Sequence, residues 1–114
     1  MLSRENGCSY CVGAHSFIAD KMSGVPKHVT DAIRDGKSID DVKLQALANF
    51  TKILLNTRGL PTKSEVEDFI KAGYSERQIL EVILAISVKT LSNYSNHLCD
   101  PVLDDVFAPR AWSE

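Results

Sequence analysis

The apolar–polar alternation of a half-buried strand hardly occurs in this chain. Apolar positions three or four residues apart, bounded by caps and stops, occur throughout. After Asn6 and Gly7 the pattern predicts a helix over 8–22, stopped at Gly24. The stretch "VPKHVTDAIRDG" predicts a second, with Pro26 suited to its first turn and Gly36 to its C-terminal stop. A third covers "DDVKLQALANFTKILLNTRG" and is closed by Gly59 and Pro61. "TKSEVEDFIKAG" opens with a capping box, Thr62 with Glu65, and ends at Gly73. "SERQILEVILAISVKTLSNYSNHL" opens with another, Ser75 with Gln78, and runs to 98, ahead of Pro101, and "LDDVF" adds a short turn. The expected fold is all-α, a compact helical domain of about five to six helices without linker or repeat.

Two of these helices are apolar nearly all round. Between 79 and 88 only Glu81 and Ser87 are polar, and Leu44, Leu47, Phe50, Ile53, Leu54 and Leu55 cover a wide arc of the third helix. Such helices must be buried on every side. The chain, at 114 residues, is of ordinary single-domain size, and a domain this short has limited surface to wrap them. Neighbouring subunits are therefore expected, with one central helix wrapped by the other four as the alternative.

Composition narrows the function classes. With 13 basic and 15 acidic residues mixed along the chain, there is no phosphate-tracking face and no nucleic-acid partner is expected. The longest apolar run, "ILEVILAISV", is too short to span a membrane, and "MLSRENG" is not a signal peptide. Three cysteines make a poor extracellular disulfide framework. A cytoplasmic location is the simpler expectation, and there a Cys pair reads as catalytic or metal-binding.

That pair sits in "NGCSYCVGAH". On a helix, Cys11 lies roughly 60° from Cys8 and His15 only about 20° from it, so the three share one face. Two thiols one turn apart can close a disulfide with little backbone change. Cys8, in the first turn, meets unpaired N–H groups and the helix dipole, which favour a thiolate. His15, a turn beyond Cys11, is positioned to take that thiol's proton directly or through a water. The sequence does not rank the two thiols. Zinc is one competing reading, but only His97 and Cys99 could complete the set, at an unusual spacing. Haem attachment needs His where Val12 stands. The plainest alternative is two small buried hydrophobes beside a satisfied histidine.

The segment "NGCSYCVGAH" resembles the active-site signature of the carboxymuconolactone decarboxylase superfamily, in its alkylhydroperoxidase D-like branch. "GYSERQILEVILAISVKTLSNYSNHL" resembles the long helix of that superfamily's peroxidase-related members. The resemblance implies an all-helical trimer or hexamer that reduces hydroperoxides through the Cys pair. It implies Cys11 as the peroxide-attacking thiol, Cys8 as the resolving thiol and His15 as part of a proton relay. It also implies no metal or organic cofactor, and recycling by an external thiol reductant, lipoyl-type in characterised members. The decarboxylases proper lack the Cys pair, so lactone decarboxylation is not expected. The family's relay includes a glutamate on a helix several turns before the pair, and 1–114 reads as a single domain without that helix. Glu5 stands too near Cys8 to replace it and reads as a solvated acid at the helix N-terminus. The same pair could instead serve a redox-sensing or interaction module that oxidises without turning over.

Other reactive residues read as bystanders. Cys99 is expected to be inert and partly buried, His97 an ordinary helix residue, and His28 solvated. Tyr10 is expected to pack, with a hydrogen bond near the site in reach. Trp112 is a candidate anchor of the tail on a neighbour.

Overall fold

The computed structural model describes residues 1–113. Their order is α1 (Leu2–Glu5), α2 (Ser9–Lys21), α3 (Lys27–Asp35), α4 (Val42–Asn56), α5 (Lys63–Lys71), α6 (Glu76–Cys99) and a closing 3-10 segment, Asp105–Arg110. The fold is all-α, as the punctuation predicts, and the unexpected element is α1, a single turn ahead of the cysteines.

The caps account for most boundaries. Thr62 and Ser75 each form a reciprocal capping box, with Glu65 and Gln78. Asp41 accepts from the Leu44 N–H at 2.9 Å to start α4. Gly36, in the left-handed region at φ 68°, stops α3. Pro26 stands just outside α3 as its N-cap, because its ψ of 131° is extended while its carbonyl already accepts from Val29 and Thr30.

The main core joins α4, α5 and α6 through Phe50, Leu54, Phe69 and Val82. Phe69 is stacked between Phe50 at 4.2 Å and Tyr74 at 4.4 Å. A second packed region sets α2 against α3 and the 3-10 segment. Gly13 permits this: a Cβ there would meet Leu103 at 3.2 Å and the Arg110 carbonyl oxygen at 3.3 Å. Arg34 donates to the carbonyls of Arg110 and Ala111, and Arg110 pairs with Asp20 and Asp31. Trp112 donates its indole N–H to the Arg34 carbonyl oxygen and so ties the tail to α3. Short α1 touches α2, α4 and α6 and joins the two regions.

At 24 residues α6 is about 36 Å long and sets the 43 Å long axis of the molecule. It is not the wrapped central helix of the alternative reading. Leu80, Leu84, Val88, Leu91, Tyr94 and Leu98 along it are all more than half exposed. Among the described residues no helix is long and apolar enough to cross a membrane.

Truncating the stacked Phe69 should expose how much the main core depends on it. Phe69→Ala is expected to cost about 3–5 kcal/mol in denaturant unfolding, with little change at Cys11 alkylation in the folded protein. A loss under 1 kcal/mol would contradict this core assignment.

Candidate functional site

Gly7, at φ 67°, turns the chain from α1 into Cys8, and a side chain there would be strained. The Cys8 N–H bonds the Ser3 carbonyl oxygen at 2.9 Å, and the Cys8 carbonyl accepts the Val12 N–H, so Cys8 becomes the N-cap of α2. Cys11 follows one turn later. Both are free thiols and both are buried, at 2% and 3% exposure. The thiols lie within hydrogen-bonding reach of one another.

The pair is not symmetric. Burial, together with donation of its proton to Cys11, pushes the Cys8 thiol up, and this outweighs the help it receives from the Cys11 backbone N–H. Burial also acts to raise Cys11 but is overcome, so that thiol moves down. The opposing causes are the hydrogen bond from Cys8, the charge of Lys89 and the amides of Asn93 and Asn96. The Asn96 Nδ2 donates to Cys11 Sγ at 3.1 Å. The helix N-terminus and a nearby proton acceptor were the sequence-level reasons for acidity. The ranking comes from the burial of Cys8 and its interaction with Cys11, and Lys89, Asn93 and Asn96 of α6 add to it.

Asn93 is fully buried. Its Oδ1 accepts from Asn6 Nδ2 at 2.9 Å, and its Nδ2 donates to Ser3 Oγ at 3.3 Å. It thereby holds both ends of the turn that presents Cys8.

His15 occupies the exposed edge of the shared face. Its Nε2 lies 2.8 Å from Lys89 Nζ, so with the lysine charged this nitrogen accepts and the ring proton sits on Nδ1. Desolvation, then the charge of Lys89, then that of the chain's amino group push the imidazole below its ordinary value. Among the described residues no carboxylate is bonded to it, and a lysine stands on the ring nitrogen. His15 and Cys11 line one cavity of about 170 Å³ between α1, α2 and α3.

The bystanders divide. Glu5 is not a solvated acid at the helix start: its side chain is largely buried and pairs with Lys52 at 3.2 Å and Arg4 at 3.3 Å, because α1 turns it toward α4. Cys99 is exposed rather than partly buried, since it ends α6 beyond the last packed turn. His97 is exposed beside Tyr94, and His28 is exposed as expected. Tyr10 packs edge-on to Phe107 and donates to Asp104 at 2.5 Å. Among the described residues no three His, Cys, Asp or Glu side chains converge as metal ligands.

Lys89, Asn93 and Asn96 escaped the sequence reading. Their signal is the i, i+4, i+7 spacing, which sets three polar side chains on one stripe of the helix. No protein-family model matches the chain, and no curated protein matches it significantly.

Lys89→Met removes the charge that faces both groups. The Cys11 pKa should rise, because its thiolate loses a counter-charge. The His15 pKa should rise too, because the imidazolium loses a repulsive neighbour. The pH dependence of Cys11 alkylation and the NMR titration of the His15 ring measure these separately. An unmoved Cys11 profile would remove Lys89 from the site.

Proposed function

We propose that the chain is a thiol-dependent hydroperoxide reductase of the alkylhydroperoxidase D-like kind, in which Cys11 attacks, Cys8 resolves and His15 relays protons. The observation that carries the reading is the polarity of the thiol pair. Asn96 Nδ2 donates to Cys11 Sγ, and the neighbouring Cys8 thiol, Lys89 and Asn93 also favour negative charge on Cys11.

The cycle balances with two external reactants. The Cys11 thiolate attacks the terminal oxygen of a hydroperoxide, the O–O bond breaks, and the alkoxide leaves as alcohol after taking a proton. Cys11 is now a sulfenic acid. Cys8 gives up its proton and attacks Cys11 Sγ, forming the disulfide and releasing water. An external dithiol, of lipoyl type, then reduces the disulfide and is itself oxidised. His15 and Lys89 are the groups suited to pass the alcohol's proton, since Lys89 donates to His15 Nε2. The cycle needs no metal or organic cofactor. A resting dithiol goes with a reducing compartment such as the cytoplasm.

A second reading keeps the chemistry but not the turnover: a redox-sensing or interaction module. The deep burial of both thiols and the lack of a carboxylate on His15 favour it.

Intact-mass analysis after brief exposure to organic hydroperoxide, with alkylation of free thiols, tests the first reading. Wild type should lose two hydrogens as the Cys8–Cys11 disulfide, and Cys8→Ser should stop one oxygen heavier, at Cys11. Both thiols reacting no faster than exposed Cys99 would sink the proposal. Disulfide formation without consumption of peroxide by added dihydrolipoamide would select the sensing module.

The assembly reading, a homo-oligomer of trimer or hexamer type, is supported by α6. Leu84, Leu91 and Leu98 recur every seven residues, with Leu80 and Tyr94 beside them, on the side away from Asn93. Each such side chain offers roughly 60–120 Å² when fully exposed, so the five give a few hundred Å², about half or less of the ~800 Å² that one partner gives to a stable interface, and flanking residues must supply the rest. A seven-residue apolar seam without charge matches a second copy of itself. Light scattering should find oligomers for wild type and a folded monomer for Leu84→Glu/Leu91→Glu. A monomeric wild type at micromolar concentration would exclude this.

A further inference from the structure

We propose that the open groove between the C-terminal end of α4 and α6 is a binding site for a medium-chain monocarboxylate. It stands apart from the peroxidase reading, because the groove shares no residue with the cavity that Cys11 and His15 line.

The backbone gives the first observation. Helix α4 ends in a Schellman motif: the Gly59 N–H bonds the Leu54 carbonyl oxygen at 2.8 Å, and the Arg58 N–H bonds that of Leu55 at 3.3 Å. The left-handed residue of such a motif is usually glycine, because a Cβ there crowds the following carbonyl oxygen. Here it is Arg58, at φ 56°, although a glycine stands next to it. Among the described residues the one other non-glycine at positive φ is Asp100. Strain kept at one position points to a use for the side chain it carries.

That side chain gives the second observation. Arg58 is exposed, and among the described residues its guanidinium makes no ion pair. It borders a groove of about 340 Å³ and is the one charged residue on it. Leu54, Leu55, Ile83 and Ile86 wall this groove, and Thr90 and Tyr94 add hydroxyl-bearing side chains.

Size and charge together choose the ligand. An apolar hole of ~150 Å³ in a protein core holds benzene, so a groove of about 340 Å³ takes roughly twice as many atoms, the size of an eight- to ten-carbon alkanoate. A lone guanidinium beside apolar walls, with no carboxylate on the groove to neutralise it, selects an anionic head, and the two oxygens of a carboxylate match its fork of donors. A cationic amphiphile would meet like charge. An ion pair at an exposed site contributes little by itself. The alkyl chain therefore supplies most of the affinity, and Arg58 supplies the choice of head group.

A second copy of the chain is the rival occupant, since Tyr94 belongs both to this groove and to the leucine stripe of α6. That stripe offers no carboxylate to meet Arg58, and charge complementarity therefore assigns the groove to the carboxylate ligand.

An NMR titration of the full chain at neutral pH, following the methyl resonances of Leu54, Ile83 and Ile86, tests the site with octanoate and octan-1-ol. Saturable shifts are expected with both. Arg58→Gly should weaken octanoate about fivefold and leave octan-1-ol unchanged, as for loss of a partly exposed ion pair. The thermal midpoint of Arg58→Gly should hold or rise, because glycine relieves the left-handed strain, so the weakened binding reads as lost charge and not as unfolding. Ile83, at 43% exposure, has room for a polar side chain, and Ile83→Glu should abolish octanoate binding by adding a like charge to the groove. Linear, non-saturating shifts, or equal losses for acid and alcohol in Arg58→Gly, would overturn the carboxylate site. Methyl shifts that follow protein concentration and association by light scattering, and ignore octanoate, would give the face to a second copy and overturn it as well.

Discussion

The amide of Asn93 is the contact on which the site depends. It sits with no exposure in the middle of α6, and it bonds Asn6 and Ser3 across the turn that carries Cys8. A primary amide in that position must find partners, since each one lost costs about 1–3 kcal/mol. The helix can satisfy it in one register against α1. That register also sets Asn96 one turn further on, against Cys11, and Lys89 one turn back, against His15. A single buried polar group thus fixes how the long helix meets the cysteines.

The electrostatics of the site follow from that register. Carboxylates are kept away from the thiols: Glu5 is drawn to Lys52, and Asp20 and Asp31 are held by Arg110. Lys89 remains as the charge felt by both Cys11 and His15. A cation near a thiol favours its thiolate, and the same cation near an imidazole favours the neutral ring.

The long helix has two faces with opposite duties. One side, through Val82, Ile86 and Asn93, packs on the core and addresses the cysteines. The other carries Leu84, Leu91 and Leu98 into solvent. The nearly all-round apolar pattern of its first half is therefore the sum of an inward face and an outward one. The periodicity alone could not say which residues were which, because both faces carry the same kind of side chain.

Local chemistry was legible in the sequence. Thr62, Ser75 and Asp41 mark helix starts because a short polar side chain at that place satisfies a backbone donor a few residues on, with no help from the rest of the chain. The helical class, and the neighbourhood of Cys8 and Cys11 one turn apart, follow from the same short-range rules. Glu5 and Cys99 were misread because their surroundings are set by α4 and by the bare end of α6. Thiol acidity belongs to the same category. It depends on charges and donors within a few ångströms, and Lys89, Asn93 and Asn96 reach Cys11 across more than 75 residues of chain. The sequence by itself determined which thiols and which imidazole share a helix face. Tertiary structure alone decided which of those thiols is the more acidic and where the histidine turns, because burial and Coulomb interaction act through space and not along the chain.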